Sequence, residues 1–148
     1  MSIGIRNIFV TTAAFSKTSD ATPALITGLS ANIAANQTMK IRVVLPLTIG
    51  AAAGGWRFQV VIPAAGTAFN MAATVYDETT NAIIACIKQT ASAVANGVGI
   101  AADGYIVIDA TIINGANAGT VQIHFAQSAS NGSASTVDIG AVMETTQF

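Results

Sequence analysis

TMKIRVVLPL, residues 38–47, is the stretch on which the fold turns. Met39, Ile41, Val43 and Leu45 recur at every second position, with Lys40 and Arg42 between them. A period of two is the repeat of a pleated strand with one buried face, since successive side chains point to opposite sides. WRFQVVI, residues 56–62, continues the pattern: Trp56, Phe58, Val60 and Ile62 alternate with Arg57, Gln59 and Val61 before Pro63 stops the run. Val121, Ile123 and Phe125 oppose Gln122 and His124, and Val137, Ile139, Ala141 and Met143 oppose Asp138, Gly140, Val142 and Glu144. Further strands are expected at 5–11, 24–29, 70–77, 82–90 and 104–113, which are rich in residues suited to a pleated surface. Turns are expected at 78–81, 103–104, 114–119 and 131–132, where Gly and Asn accept positive φ at little cost. About nine short strands with closely spaced turns predict an all-β sandwich or barrel.

The chain has 148 residues and is expected to form a single domain, residues 1–148, around one core. Charged residues make up 9% of it and hydrophobic ones 52%, against about 25% charged in an ordinary soluble domain. The mean hydropathy is +0.59. So little charge leaves an exterior of Ala, Gly, Thr, Ser and Asn that repels its own copies weakly, which predicts cover by other subunits. A membrane-spanning helix needs roughly 18 consecutive apolar residues, and Pro46, Gly50, Gly54, Gly55, Pro63 and Gly66 interrupt the uncharged runs. No membrane is therefore expected as a partner. Net charge −1 with no basic cluster argues against nucleic acid. A lone Cys86 cannot form an internal disulfide.

Catalysis finds no constellation. His124, the single histidine, lies on the polar face of its strand beside Gln122, and no neighbouring motif supplies a nucleophile or an orienting group. Zinc takes three or four His, Cys or carboxylate ligands, and one His and one Cys stand far apart here. The segment 97–102, GVGIAA, fits a dinucleotide-binding pattern only formally, because a strand follows the glycines instead of preceding them. Asp77-Glu78 reads as a solvated turn, and Trp56, Phe58 and Phe125 fall with the core aliphatics by strand parity. No cofactor, metal or small-molecule substrate is expected, and the chain reads as a non-enzyme.

The C-terminal stretch GTVQIHFAQSASNGSASTVDIGAVMETTQF, residues 119–148, resembles a hairpin of small β-rich structural proteins of tailed bacteriophages. In those proteins an L-x-F-A-Q strand, a Ser/Asn/Thr-rich loop and a T-V-x-x-G-S-x-L/M strand follow one another. Ile123, Phe125, Ala126 and Gln127 match the first part, and Thr136, Val137, Gly140 and Met143 the last, with Ala141 where Ser is usual. MKIRVVLPL, GGWRFQVVIPA and GYIVIDATIINGANAGTV are similar to upstream segments of the same group. The resemblance covers roughly two thirds of the chain. It implies a jelly-roll β-sandwich of about eight to nine strands, like the trimeric heads of tumour necrosis factor, used in capsid decoration (cement) proteins and in head or tail fibre tips.

The short lead into the first strand favours decoration over a fibre tip, because fibres carry a longer attachment segment. The low charge predicts a homotrimer, and the resemblance implies a protein made in the cytoplasm of a bacterial host that binds the major capsid protein on the outside of the head. A fibre tip that binds a host receptor or glycan is the alternative. Residues 1–10 are the expected anchor, with Ile3, Ile5, Ile8 and Phe9 offering apolar contacts and Arg6 a charged one, although an edge strand within the subunit accounts for the same residues. The loop 128–135 is expected at one end of the sandwich.

Overall fold

The structure is a computed structural model that describes residues 4–64, 66–97 and 103–148. Its strands are β1 (Ile5–Val10), β2 (Phe15–Lys17), β3 (Ala24–Ile33), β4 (Thr38–Ile49), β5 (Trp56–Val61), β6 (Ala68–Asp77), β7 (Ala82–Gln89), β8 (Ala95–Gly97), β9 (Asp103–Ile113), β10 (Gly119–Ala126), β11 (Ser135–Val137) and β12 (Val142–Gln147). One sheet runs β1-β12-β4-β9-β6-β7, and the other β3-β10-β5-β8. Every pairing is antiparallel. The order β1-β12-β4-β9 facing β3-β10-β5-β8 is that of a jelly roll, in which the chain crosses repeatedly between two four-stranded layers. The β6–β7 hairpin widens the first layer along the edge of β9.

Strand parity places the core as the alternation predicts. Met39, Val43 and Leu45 from β4, Trp56, Phe58 and Val60 from β5, and Val121, Ile123 and Phe125 from β10 are all buried. They meet Leu29 and Ile33 of β3 and Ile106, Ile108 and Ile112 of β9 in a single apolar cluster between the layers. Sheets stacked about 10 Å apart interdigitate such side chains, so each inward residue loses nearly all of its contact with water. Trp56 and Phe58 stack with ring centroids 5.9 Å apart.

The strand count differs from the expected eight or nine, because the described residues form twelve strands. The short strands β2 and β8 carry too few residues to show a period. The predicted final strand is in fact two, β11 and β12. Its alternation breaks at Ile139, which is 65% exposed, whereas Val137, Ala141 and Met143 are buried as expected.

Pro46 is the cause. Its carbonyl accepts the N–H of Asp138 (2.9 Å), so its ring nitrogen points to the same side and has no hydrogen to give. The neighbouring chain leaves the ladder there, between Val137 opposite Leu47 and Val142 opposite Val44. It turns through Gly140 at φ +88°, a left-handed conformation that glycine adopts without a Cβ clash. Buried Thr11 receives the excursion: its hydroxyl accepts the N–H of Ala141 (3.0 Å), and its own N–H donates to the Ala141 carbonyl (2.9 Å).

Candidate interaction surface

The N-terminal strand β1 pairs with β12 along its whole length, from Ile5 opposite Gln147 to Val10 opposite Val142. Among the described residues it ends the sheet, so its other edge offers an unpaired row of backbone groups. Apolar side chains flank that edge: Ile5 is 69% exposed, Ile8 57% and Val10 51%. Arg6 lies on the outer face, where its Nη2 meets Glu144 Oε1 at 2.9 Å. Phe9 differs from the others, turning inward to pack half-buried against the core. Ile3 lies outside the described residues. The structure thus brings Ile5, Arg6 and Ile8 together on one edge strand and adds Val10, which lies within the expected anchor 1–10 but was not named among its contact residues.

Among the described residues, no second layer covers the outer face of the large sheet. Cross-strand register aligns Glu144, Arg42, Asp109, Ala72 and Lys88 in one row across β12, β4, β9, β6 and β7. Beside them runs an apolar row of Val142, Val44, Val107 and Thr74, followed by Pro46, Tyr105 and Tyr76. The two tyrosine rings stack with centroids 4.4 Å apart and planes at 14°. An open groove of ≈ 480 Å³ lies over the charged part, lined by Lys40, Arg42, Asn70, Lys88, Asp109 and Glu144 among others. The sequence shows each of these residues singly; only register gathers them.

The remaining sequence candidates fall where ordinary structure explains them. His124 Nε2 bonds Gln122 Oε1 (3.2 Å), and partial burial holds the imidazole pKa below its ordinary value, against a smaller upward pull from the backbone of Pro23. Among the described residues, none of its hydrogen-bond partners is a nucleophile. Asp77 is buried, and its Oδ1 accepts the N–H of Thr80 (3.0 Å), so it caps the turn through Asn81 at φ +54°. The expectation of a solvated turn therefore holds for exposed Glu78 and not for Asp77. Of the segment 97–102, Gly97 ends β8 and the rest lies outside the described residues. Among the described residues, no three His, Cys, Asp or Glu side chains group as metal ligands do.

The Ser-rich loop after β10 is more structured than its composition suggests. Gln127, fully buried, sits at its root: Oε1 accepts the N–H of Asp20 (3.2 Å) and of Asn131 (3.2 Å), and Nε2 donates to the carbonyls of Asn131 (3.1 Å) and Ser133 (2.6 Å). Arg57 clamps the same end through the carbonyls of Ala21 (2.6 Å) and Ser128 (3.0 Å). Asp20 is held at a pKa of about 2, first by a hydrogen bond from Lys17 (2.6 Å) and then by the N–H of Thr22.

No protein-family model matches the chain, and no curated protein does. Among solved structures, it is similar to the tripod from the baseplate of bacteriophage Tuc2009, over 93% of this chain and 64% of that one, at 13% identity and a TM-score of 0.40. It is also similar to a structure of infectious bursal disease virus Gt strain, over 97% and 41% of the two chains, at 9% identity and a TM-score of 0.25. A xylanase 10B CBM22-1–GH10 structure from Clostridium thermocellum matches over 90% and 25%, at 8% identity and a TM-score of 0.28. The chain spans less than two thirds of the length of each, and superpositions this loose carry no argument about its role.

Proposed function

We propose that this protein is a non-enzymatic structural component of a phage virion, a decoration protein that binds the major capsid protein on the outside of the head as a homotrimer. The observation that carries the proposal is the open, apolar edge of β1 on a jelly roll with 9% charged residues. Exposed edges of this kind are normally blunted by charged side chains, Pro or a bulge, and β1 has no Pro or bulge and a single charge, Arg6, which is drawn onto Glu144. An edge left bare in the free subunit is accounted for by a surface that covers it after assembly. The resemblance of residues 119–148 to phage structural proteins supports the same reading, and the low surface charge supports association with copies.

The test compares the intact chain with an Ile5→Ser/Ile8→Ser variant and with a chain lacking residues 2–7, measuring binding to purified heads and oligomeric mass. Loss of head binding with the trimer intact supports the anchor. Unchanged head binding by both variants refutes it. A wild-type chain that binds no heads but is found on the tail of intact virions identifies a fibre tip instead.

A further inference from the structure

We infer that the outer face of the large sheet is a two-fold contact between copies of this chain, centred between β4 and β9. This contact lies on the sheet's outer face, which Ile8 of β1 borders, whereas head binding is assigned to the free edge of β1. Residues directly opposite across a ladder share a face, so the row Ile8, Glu144, Arg42, Asp109, Ala72, Lys88 is a line of alternating charge running across the strands. Glu144 is already matched by Arg6. Among the described residues, Arg42, Asp109 and Lys88 make no ion pair, and each is exposed. The next row is apolar, and its Val44 and Val107 are only partly covered by their neighbours.

A two-fold axis in the interface, parallel to the strands and midway between β4 and β9, lays each row on its own reverse. Arg42 of one copy then faces Asp109 of the other, twice over, while Val44 faces Val107 and Pro46 faces Tyr105. Glu144 faces Ala72, Lys88 faces Ile8, and no like charges meet. Placements that set like charges together are excluded. An axis along β4 sets Arg42 against itself, one along β9 sets Asp109 against itself, and one between β9 and β6 sets Arg42 against Lys88. An axis between β12 and β4 gives Arg42 to Glu144, which Arg6 already matches, and leaves Ala72 and Lys88 outside the contact, and one along β6 pairs Asp109 with Lys88 but leaves Arg42 outside it; the placement between β4 and β9 is the one that spans all six strands. An isologous contact must be complementary to itself, and like-charge juxtaposition is what excludes wrong registers. The occupant that fits this face is therefore a second copy.

The test is a charge exchange between chains, read by sedimentation equilibrium. The wild type is expected to assemble in even numbers, as a pair of monomers or a pair of rings. Arg42→Asp alone and Asp109→Arg alone each place two like-charged pairs in the contact, and each is expected to halve the mass and weaken the contact at least tenfold. Mixing the two variants in equal amounts makes every cross-chain pair opposite in sign, so the mass is expected to return. Rearrangement within one chain cannot produce that rescue. A wild type that sediments as a lone monomer or trimer overturns the inference. So does a single variant that keeps the full mass, or a mixture that does not recover it. Head binding is scored separately, so failure of the decoration reading stays distinct from failure of this one.

Discussion

Replacing Gln127 by Ala removes one side chain and unties four backbone groups at once. The amide uses both N–H donors and accepts two hydrogen bonds, joining Asp20, Asn131 and Ser133. An intramolecular hydrogen bond contributes a net 0.5–1.5 kcal/mol, so four sum to about 2–6 kcal/mol. The loop lies at the rim, where water replaces some of the lost partners, which places the expected cost near the lower part of that range, at about 3 kcal/mol. For 148 residues, unfolding entropy of about 2.1 cal/mol/K per residue gives roughly 0.3 kcal/mol/K, so Tm should fall by about 10 °C. Urea unfolding followed by circular dichroism measures the free energy directly, and the slope m should not change, because the exposed surface is nearly the same. Gln127→Glu sharpens the test by keeping the shape while setting a carboxylate oxygen against the carbonyls of Asn131 and Ser133. Burial would raise that carboxyl pKa, so the variant should recover stability as pH falls, opposite to an ordinary surface acid. If Gln127→Ala lies within about 0.5 kcal/mol of the wild type, the loop is not held in the way described here.

The same substitution at two buried threonines should act with opposite sign. Thr11→Val leaves the Ala141 N–H without its side-chain acceptor and should cost about 1–3 kcal/mol, whereas Thr145→Val replaces a buried hydroxyl that has no partner and should be neutral or stabilising by about 1 kcal/mol; chemical denaturation of both reads the difference. Gly97→Ala would set a Cβ 2.7 Å from the Trp56 ring, and overpacking of this kind should destabilise by about 1–3 kcal/mol, visible as a lower Tm and altered tryptophan fluorescence. Because the His124 pKa is lowered in the folded state, the unfolded chain binds its proton first. Stability should therefore decline as pH falls through the ordinary histidine value of about 6.5 and level off below the folded value, and His124→Gln should abolish that slope in denaturation curves taken from pH 8 to 5.

Alternation in TMKIRVVLPL, WRFQVVI and GTVQIHFA was enough to assign strands and inward faces, because which side a residue faces is a local property of the pleat. The low charge was legible for a similar reason, since charge is counted without knowing positions. Pairing was beyond reach. Nothing in the chain before folding says that Glu144, Arg42, Asp109 and Lys88 share a row, since they lie on strands far apart in sequence and a register slip of one residue would turn a whole strand over. The break at Ile139 was equally hidden: a proline nearly a hundred positions earlier removes the donor that a straight ladder would have needed. Gln127 looked like one polar residue heading a polar loop, and only the folded chain brings four backbone groups within reach of its amide. Periodicity is written one residue at a time and survives in the linear chain, whereas register, hydrogen-bond partnership and the charge pattern of a face exist only between segments that folding has brought together.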